Sequence, residues 1–107
     1  MLSISQKSLT EILREIFLRE YIIMEKFKPK KEYKMKGGIQ KIYQFENGMG
    51  ASVVRHNGSY GGDRGLWELA VLDQAGDLDY STPITNDVLG HQDDEDIQNV
   101  LMEISKL

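Results

Sequence analysis

The chain has 107 residues, of which 40% are hydrophobic and 28% charged, a composition suited to one α+β domain with a single apolar core. It contains no cysteine, so disulfides, thiolate metal sites and cysteine nucleophiles are excluded. The net charge is −4, but residues 1–47 carry ten basic and six acidic side chains (+4), whereas 48–107 carry three and eleven (−8). Packing the two segments together would neutralise part of each.

The first predicted element is a helix over 8–27. Ser8 and Glu11 have the spacing of a capping box. Leu9, Ile12, Leu13, Ile16, Phe17, Ile23, Met24 and Phe27 then form one apolar stripe, and Pro29 ends it. Glu20 falls within that stripe. Leu18 and Ile22 lie on the opposite side with Tyr21 on the flank, which makes Leu18, Tyr21 and Ile22 a candidate face for self-association as a homodimer. The same region is interrupted by Arg14, Glu15, Arg19, Glu20, Glu25 and Lys26, which excludes a membrane span. No basic start leads into an apolar run, so a cytoplasmic location is expected.

Residues 28–38 read as a basic connector closed by Gly37-Gly38. Its lysines, Lys28, Lys30, Lys31, Lys34 and Lys36, offer a track for a nucleic-acid backbone, but without arginine forks in an acidic protein a solvated linker is the better reading. Strand patterns follow over 39–45 and 49–55, joined through Glu46-Asn47-Gly48, and then over 66–72 and 78–81. A last helix is predicted over 93–106, with Asp94, Glu95 and Asp96 at its positive end and Ile97, Val100, Leu101, Ile104 and Leu107 along one face. Gln98, Asn99, Glu103 and Lys106 are expected to face water. The expected architecture is a four-stranded antiparallel meander over 39–81, with the N-terminal and C-terminal amphipathic helices packed on one face.

Chemistry concentrates in 55–65, a glycine-rich connection longer than a tight hairpin needs. Arg55, His56, Tyr60 and Arg64, with Trp67 in support, are the residue types that most often anchor protein interfaces, and they form the candidate partner site. His56, Ser59 and Asp63 are the compact candidates for catalysis, but no nucleophile elbow surrounds Ser59 and no phosphate-loop motif is present. Asp87, His91 and Asp93 or Asp94 have a spacing that occurs often by chance, so no metal or other cofactor is expected.

Asn47-Gly48-Met49-Gly50-Ala51-Ser52-Val53-Val54-Arg55-His56, Gly58-Ser59-Tyr60-Gly61, Gly65-Leu66-Trp67-Glu68-Leu69-Ala70-Val71-Leu72 and Tyr80-Ser81-Thr82-Pro83-Ile84-Thr85-Asn86-Asp87-Val88 resemble a family of small uncharacterised proteins encoded by tailed bacteriophages. The resemblance runs from about Asn47 to Ile104 and includes no catalytic signature. It implies an accessory protein of the bacterial cytoplasm that binds and modulates a host protein. Two other functions are compatible with the sequence. One is an acidic inhibitor whose Asp73, Asp77, Asp79, Asp87 and Asp93 to Asp96 mimic nucleic acid; the other is a small enzyme using His56.

Overall fold

A computed structural model describes residues 7–107, apart from the side chains of 19–26. In chain order the elements are α1 (Leu9–Lys26), β1 (Lys31–Met35), β2 (Gly38–Gln44), β3 (Gly50–Arg55), β4 (Trp67–Leu72), β5 (Leu89–Gln92) and α2 (Asp94–Ser105). The strands form one antiparallel sheet in the order β1-β2-β3-β4-β5. The α+β class is as expected, but the sheet has five strands rather than four.

Two local readings account for the difference. The supposed connector at 28–38 contains β1, whose five residues are all exposed. Lysines are common on edge strands because they discourage pairing with other chains, so a lysine-rich stretch is compatible with a strand. Gly37, at φ 79°, makes the turn into β2. At the other end, 78–81 contributes only a single bridge, Leu78 to Leu72, and the edge position beside β4 goes to β5.

The hairpin between β2 and β3 forms where Asn-Gly predicts it. Gly48 takes the left-handed conformation at φ 86°, and the Met49 amide donates to the Asn47 side-chain oxygen at 3.0 Å. Asn47 Nδ2 also donates to the carbonyls of Ile104 (2.9 Å) and Leu107 (3.2 Å), fastening the hairpin to the end of α2. The Ile104 carbonyl also accepts from the Leu107 amide at 3.2 Å, so the Asn47 contact adds to a turn that already closes the helix terminus.

Helix α2 begins as its acidic start suggests. Asp93 accepts from the Asp96 amide at 2.7 Å and Asp96 accepts from the Asp93 amide at 3.0 Å, a reciprocal cap. Its buried residues Ile97, Leu101 and Ile104 pack with Ala51, Val53, Trp67, Leu69 and Val71 to form the core. Alternation along the strands places Tyr43, Ala51 and Val71 on this face, together with Lys41, Val53 and Leu69.

At the start of α1 the Glu11 amide donates to Ser8 Oγ at 3.2 Å, which is the Ser8 half of the expected box. The packing of α1 is not as expected. Leu9, Leu13, Ile16 and Phe17, all from the expected buried stripe, are exposed, as is Leu18 on the other side. Among the described side chains of that stripe, Ile12 is half-buried and Phe27, just beyond the helix, enters the core, meeting Phe45 edge-on at 5.5 Å between ring centres. The second helix on the covered face therefore has no counterpart among the described side chains. The sheet offers a physical reason: beyond α2, that face presents Glu32, Lys34 and Lys41 around Ile39, a charged surface poorly suited to an apolar stripe. Glu20, Tyr21 and Ile22 belong to the side chains outside the described set.

Candidate functional site

The 55–65 connection is a surface loop with a rigid frame. Ser59 is its one buried polar residue. Its hydroxyl accepts from the His56 amide at 3.0 Å and donates to the His56 carbonyl at 2.9 Å, while its own amide donates to the same carbonyl at 3.1 Å. Gly62 to Arg64 form a 3₁₀ turn flanked by Gly61 and Gly65, both left-handed. The loop is also tied to β5, because the His91 amide donates to the Tyr60 carbonyl at 3.0 Å. Gly90 permits this approach, since a Cβ there would lie 2.5 Å from Tyr60 Cβ.

These bonds also settle what Ser59 and His56 do locally. The Ser59 hydroxyl proton is directed at a backbone carbonyl, and His56 Nδ1 accepts from the Gly58 amide at 3.0 Å. The pair is thus held by the loop's own backbone and is not arranged as nucleophile and base. Replacing Ser59 with alanine removes both bonds of its buried hydroxyl to the His56 backbone and should lower the unfolding free energy by about 1–3 kcal/mol. Urea denaturation monitored at Trp67 measures this.

Of the five proposed contact residues, Arg55 and Trp67 form a unit. The guanidinium lies 4.2 Å from the centre of the indole and Nη1 donates to the Gly65 carbonyl at 3.3 Å. Trp67 is only 6% exposed, so it supports Arg55 from below and offers little contact surface of its own. The indole N–H donates to Asp94 Oδ1 at 2.8 Å, linking the stack to the first turn of α2. His56 sits apart, in a cleft of about 510 Å³ that it shares with Arg55, Lys34, Met35 and the Gly37-Gly38 turn. Tyr60 is 62% exposed on the β5 side of the loop, and Arg64 projects from the 3₁₀ turn.

No family model, curated protein or solved structure matches the chain. The site is therefore read from its own geometry. A second cleft, of about 400 Å³, opens between α2 and the sheet and is lined by Lys41, Tyr43, Arg55, Trp67, Asp94 and Gln98, among others. Lys41 Nζ lies 5.0 Å from the Trp67 ring centre, so two cations approach the same indole. Burial first, and the negative charge of Glu32 second, push the Tyr43 hydroxyl pKa upward.

Lys41, Tyr43 and Gln98 were not singled out from the sequence. Alternation in β2 places Lys41 and Tyr43 on the core face, and that signal was available. Gln98 was expected to face water; it is half-buried instead, and its Oε1 is fully buried with no hydrogen-bond partner among the described residues.

The acidic residues are separated. Asp73 accepts from the amides of Ala75 and Asp77, both at 2.9 Å, in the turn after β4. Asp79 accepts from the Ser81 hydroxyl and amide, which lowers its pKa. Asp93, Asp94 and Asp96 stand at the opposite end of β4, beside Trp67. A strand of six residues spans roughly 17–20 Å, so these carboxylates do not make one continuous surface. Among the described residues no cluster of His, Asp and Glu is placed to hold a metal ion, and no helix is long and apolar enough to cross a membrane. His91 lies in β5 at φ 55° instead of on a helical face with Asp87.

Proposed function

We propose that the protein is a non-enzymatic binding module, a phage-type accessory protein that engages a bacterial host protein through the 55–65 loop. One observation carries the reading: the Arg55 guanidinium is braced on Trp67 and lies beyond ion-pair range of every carboxylate among the described residues. A cation held in one orientation with its charge unpaired loses little freedom on meeting an acidic partner, which favours affinity. Tyr60 and Arg64, exposed on the same fixed loop, supply an aromatic and a second cation. The backbone roles of Ser59 and His56 favour binding over catalysis, and the separation of the carboxylates disfavours nucleic-acid mimicry.

Arg55→Ala, Tyr60→Ala and Arg64→Ala combined should leave the protein folded and remove capture of a host protein from bacterial lysate. Each true anchor is worth about 2 kcal/mol or more, roughly 30-fold in affinity. Retained capture by the triple variant would refute the reading, with Asp77→Ala serving as the surface control.

A further inference from the structure

Strand β1 forms one edge of the sheet. Its inner side bonds to β2, and among the described residues no strand pairs with its outer side. All five of its residues are exposed, so a row of backbone amides and carbonyls is open to another chain. Residues 30–36 carry four lysines against one glutamate. Lys31, Lys34 and Lys36 make no ion pair among the described residues, whereas Glu32 lies 4.0 Å from Lys41. Alternation puts Glu32 and Lys34 on the face shared with α2, and Lys31, Tyr33 and Met35 on the other. Tyr33 and Met35 are 47% and 39% exposed, and their neighbours on that face, Gln40, Ile42, Ser52 and Val54, bear no charge.

We propose that β1 is a docking edge for an acidic, extended peptide segment, which adds to the sheet as an antiparallel sixth strand. Charge selects the occupant. A second copy's β1 would set lysines against lysines, and like charges opposed across a strand pair are unfavourable. A strand bearing carboxylates meets the opposite field. In antiparallel register, successive peptide residues stand opposite Met35, Lys34, Tyr33, Glu32 and Lys31. The matching pattern is apolar, acidic, apolar, uncharged, acidic. Main-chain bonds supply affinity in this mode of recognition, and the alternating side chains supply specificity. A nucleic-acid strand fits less well: Lys31 and Lys34 project from opposite faces of β1, and Tyr33 is the one ring on the strand for bases to stack on. The proposal uses no residue of the 55–65 loop.

Titration of the ¹⁵N-labelled protein with the acetylated, amidated peptide Thr-Val-Glu-Val-Thr-Glu-Thr should shift the amides of 31–35 saturably. Those β1 amides that face solvent in the free protein should then exchange more slowly. Lys31→Glu combined with Lys34→Glu should weaken binding about tenfold or more, because two attractions become repulsions. Both positions are exposed, so the fold should be kept. N-methylation of alternate peptide amides separates strand addition from charge attraction: one of the two alternate sets should abolish binding and the other spare it. An unsaturable titration, parent-like binding by the charge-reversed protein, or equal tolerance of both methylated peptides overturns the proposal. Tighter binding of an oligothymidylate than of the peptide at matched ionic strength would assign the edge to nucleic acid and also overturns it. The variant combining Arg55→Ala, Tyr60→Ala and Arg64→Ala should bind the peptide like the parent; loss there would move the peptide to the loop and refute docking at β1. Capture from lysate remains the test of the loop reading, whichever way the peptide experiments fall.

Discussion

Replacing Leu101 with alanine should cost about 2–5 kcal/mol of unfolding free energy. Leu101 is fully buried and belongs to the same cluster as Val53, Leu69 and Val71, where α2 meets the sheet. Truncation there removes apolar contacts and leaves a cavity that the strands, fixed by their hydrogen bonds, cannot close. A domain of this length has about 5–15 kcal/mol in total, so a substantial share would be lost. The same substitution at Leu13, which is 45% exposed on α1, should change stability by no more than about 0.5 kcal/mol. Urea midpoints for the two variants make the comparison. Equal losses would mean that α1 lies against the sheet, contrary to the fold described above.

The second large effect is expected at Gly62. A Cβ at this position would stand 1.9 Å from the His56 carbonyl oxygen and 2.4 Å from Ser59 Oγ. Neither atom can move aside, because the carbonyl accepts from both the Ser59 amide and hydroxyl. Gly62→Ala should therefore destabilise by about 3 kcal/mol, the upper part of the range for overpacking, and displace the loop. Gly65→Ala separates this steric effect from backbone strain. Gly65 has φ 74° with nothing within 4 Å of the added methyl, so only the left-handed penalty of about 1–2 kcal/mol applies. Thermal unfolding and the amide spectrum of the loop distinguish the two; similar losses in both variants would show that crowding at His56 is not what Gly62 prevents.

Features set by neighbours in the chain were legible in the sequence. Ser8 and Asp93 cap helices because capping needs only an oxygen at the right spacing from a helix start. The hairpin at Asn47-Gly48 follows from the left-handed residue that its turn demands. What depended on distant segments was harder to read. Five exposed residues of β1 resemble a linker, because an edge strand has little apolar content to announce it. The stripe on α1 signals a helix but does not supply a surface to cover it. That surface would have had to come from β1 and β2, whose covered-face residues include Glu32 and Lys41. The candidate site divides in the same way. Arg55 and Tyr60 stand out as residue types in a glycine-rich loop, whereas the Lys41, Trp67 and Gln98 cleft exists only once α2 is laid across the strands.

Because every strand bonds to its immediate successor, most of the sheet can assemble by closing short segments of chain. The entropy lost at each closure is small, and such low contact order favours rapid folding. The bond from Asn47 to the Ile104 carbonyl is different, bridging 57 positions. Loop-closure entropy therefore predicts that this anchor forms after the hairpins, and an Asn47→Ala variant should mainly speed unfolding, which stopped-flow kinetics would measure.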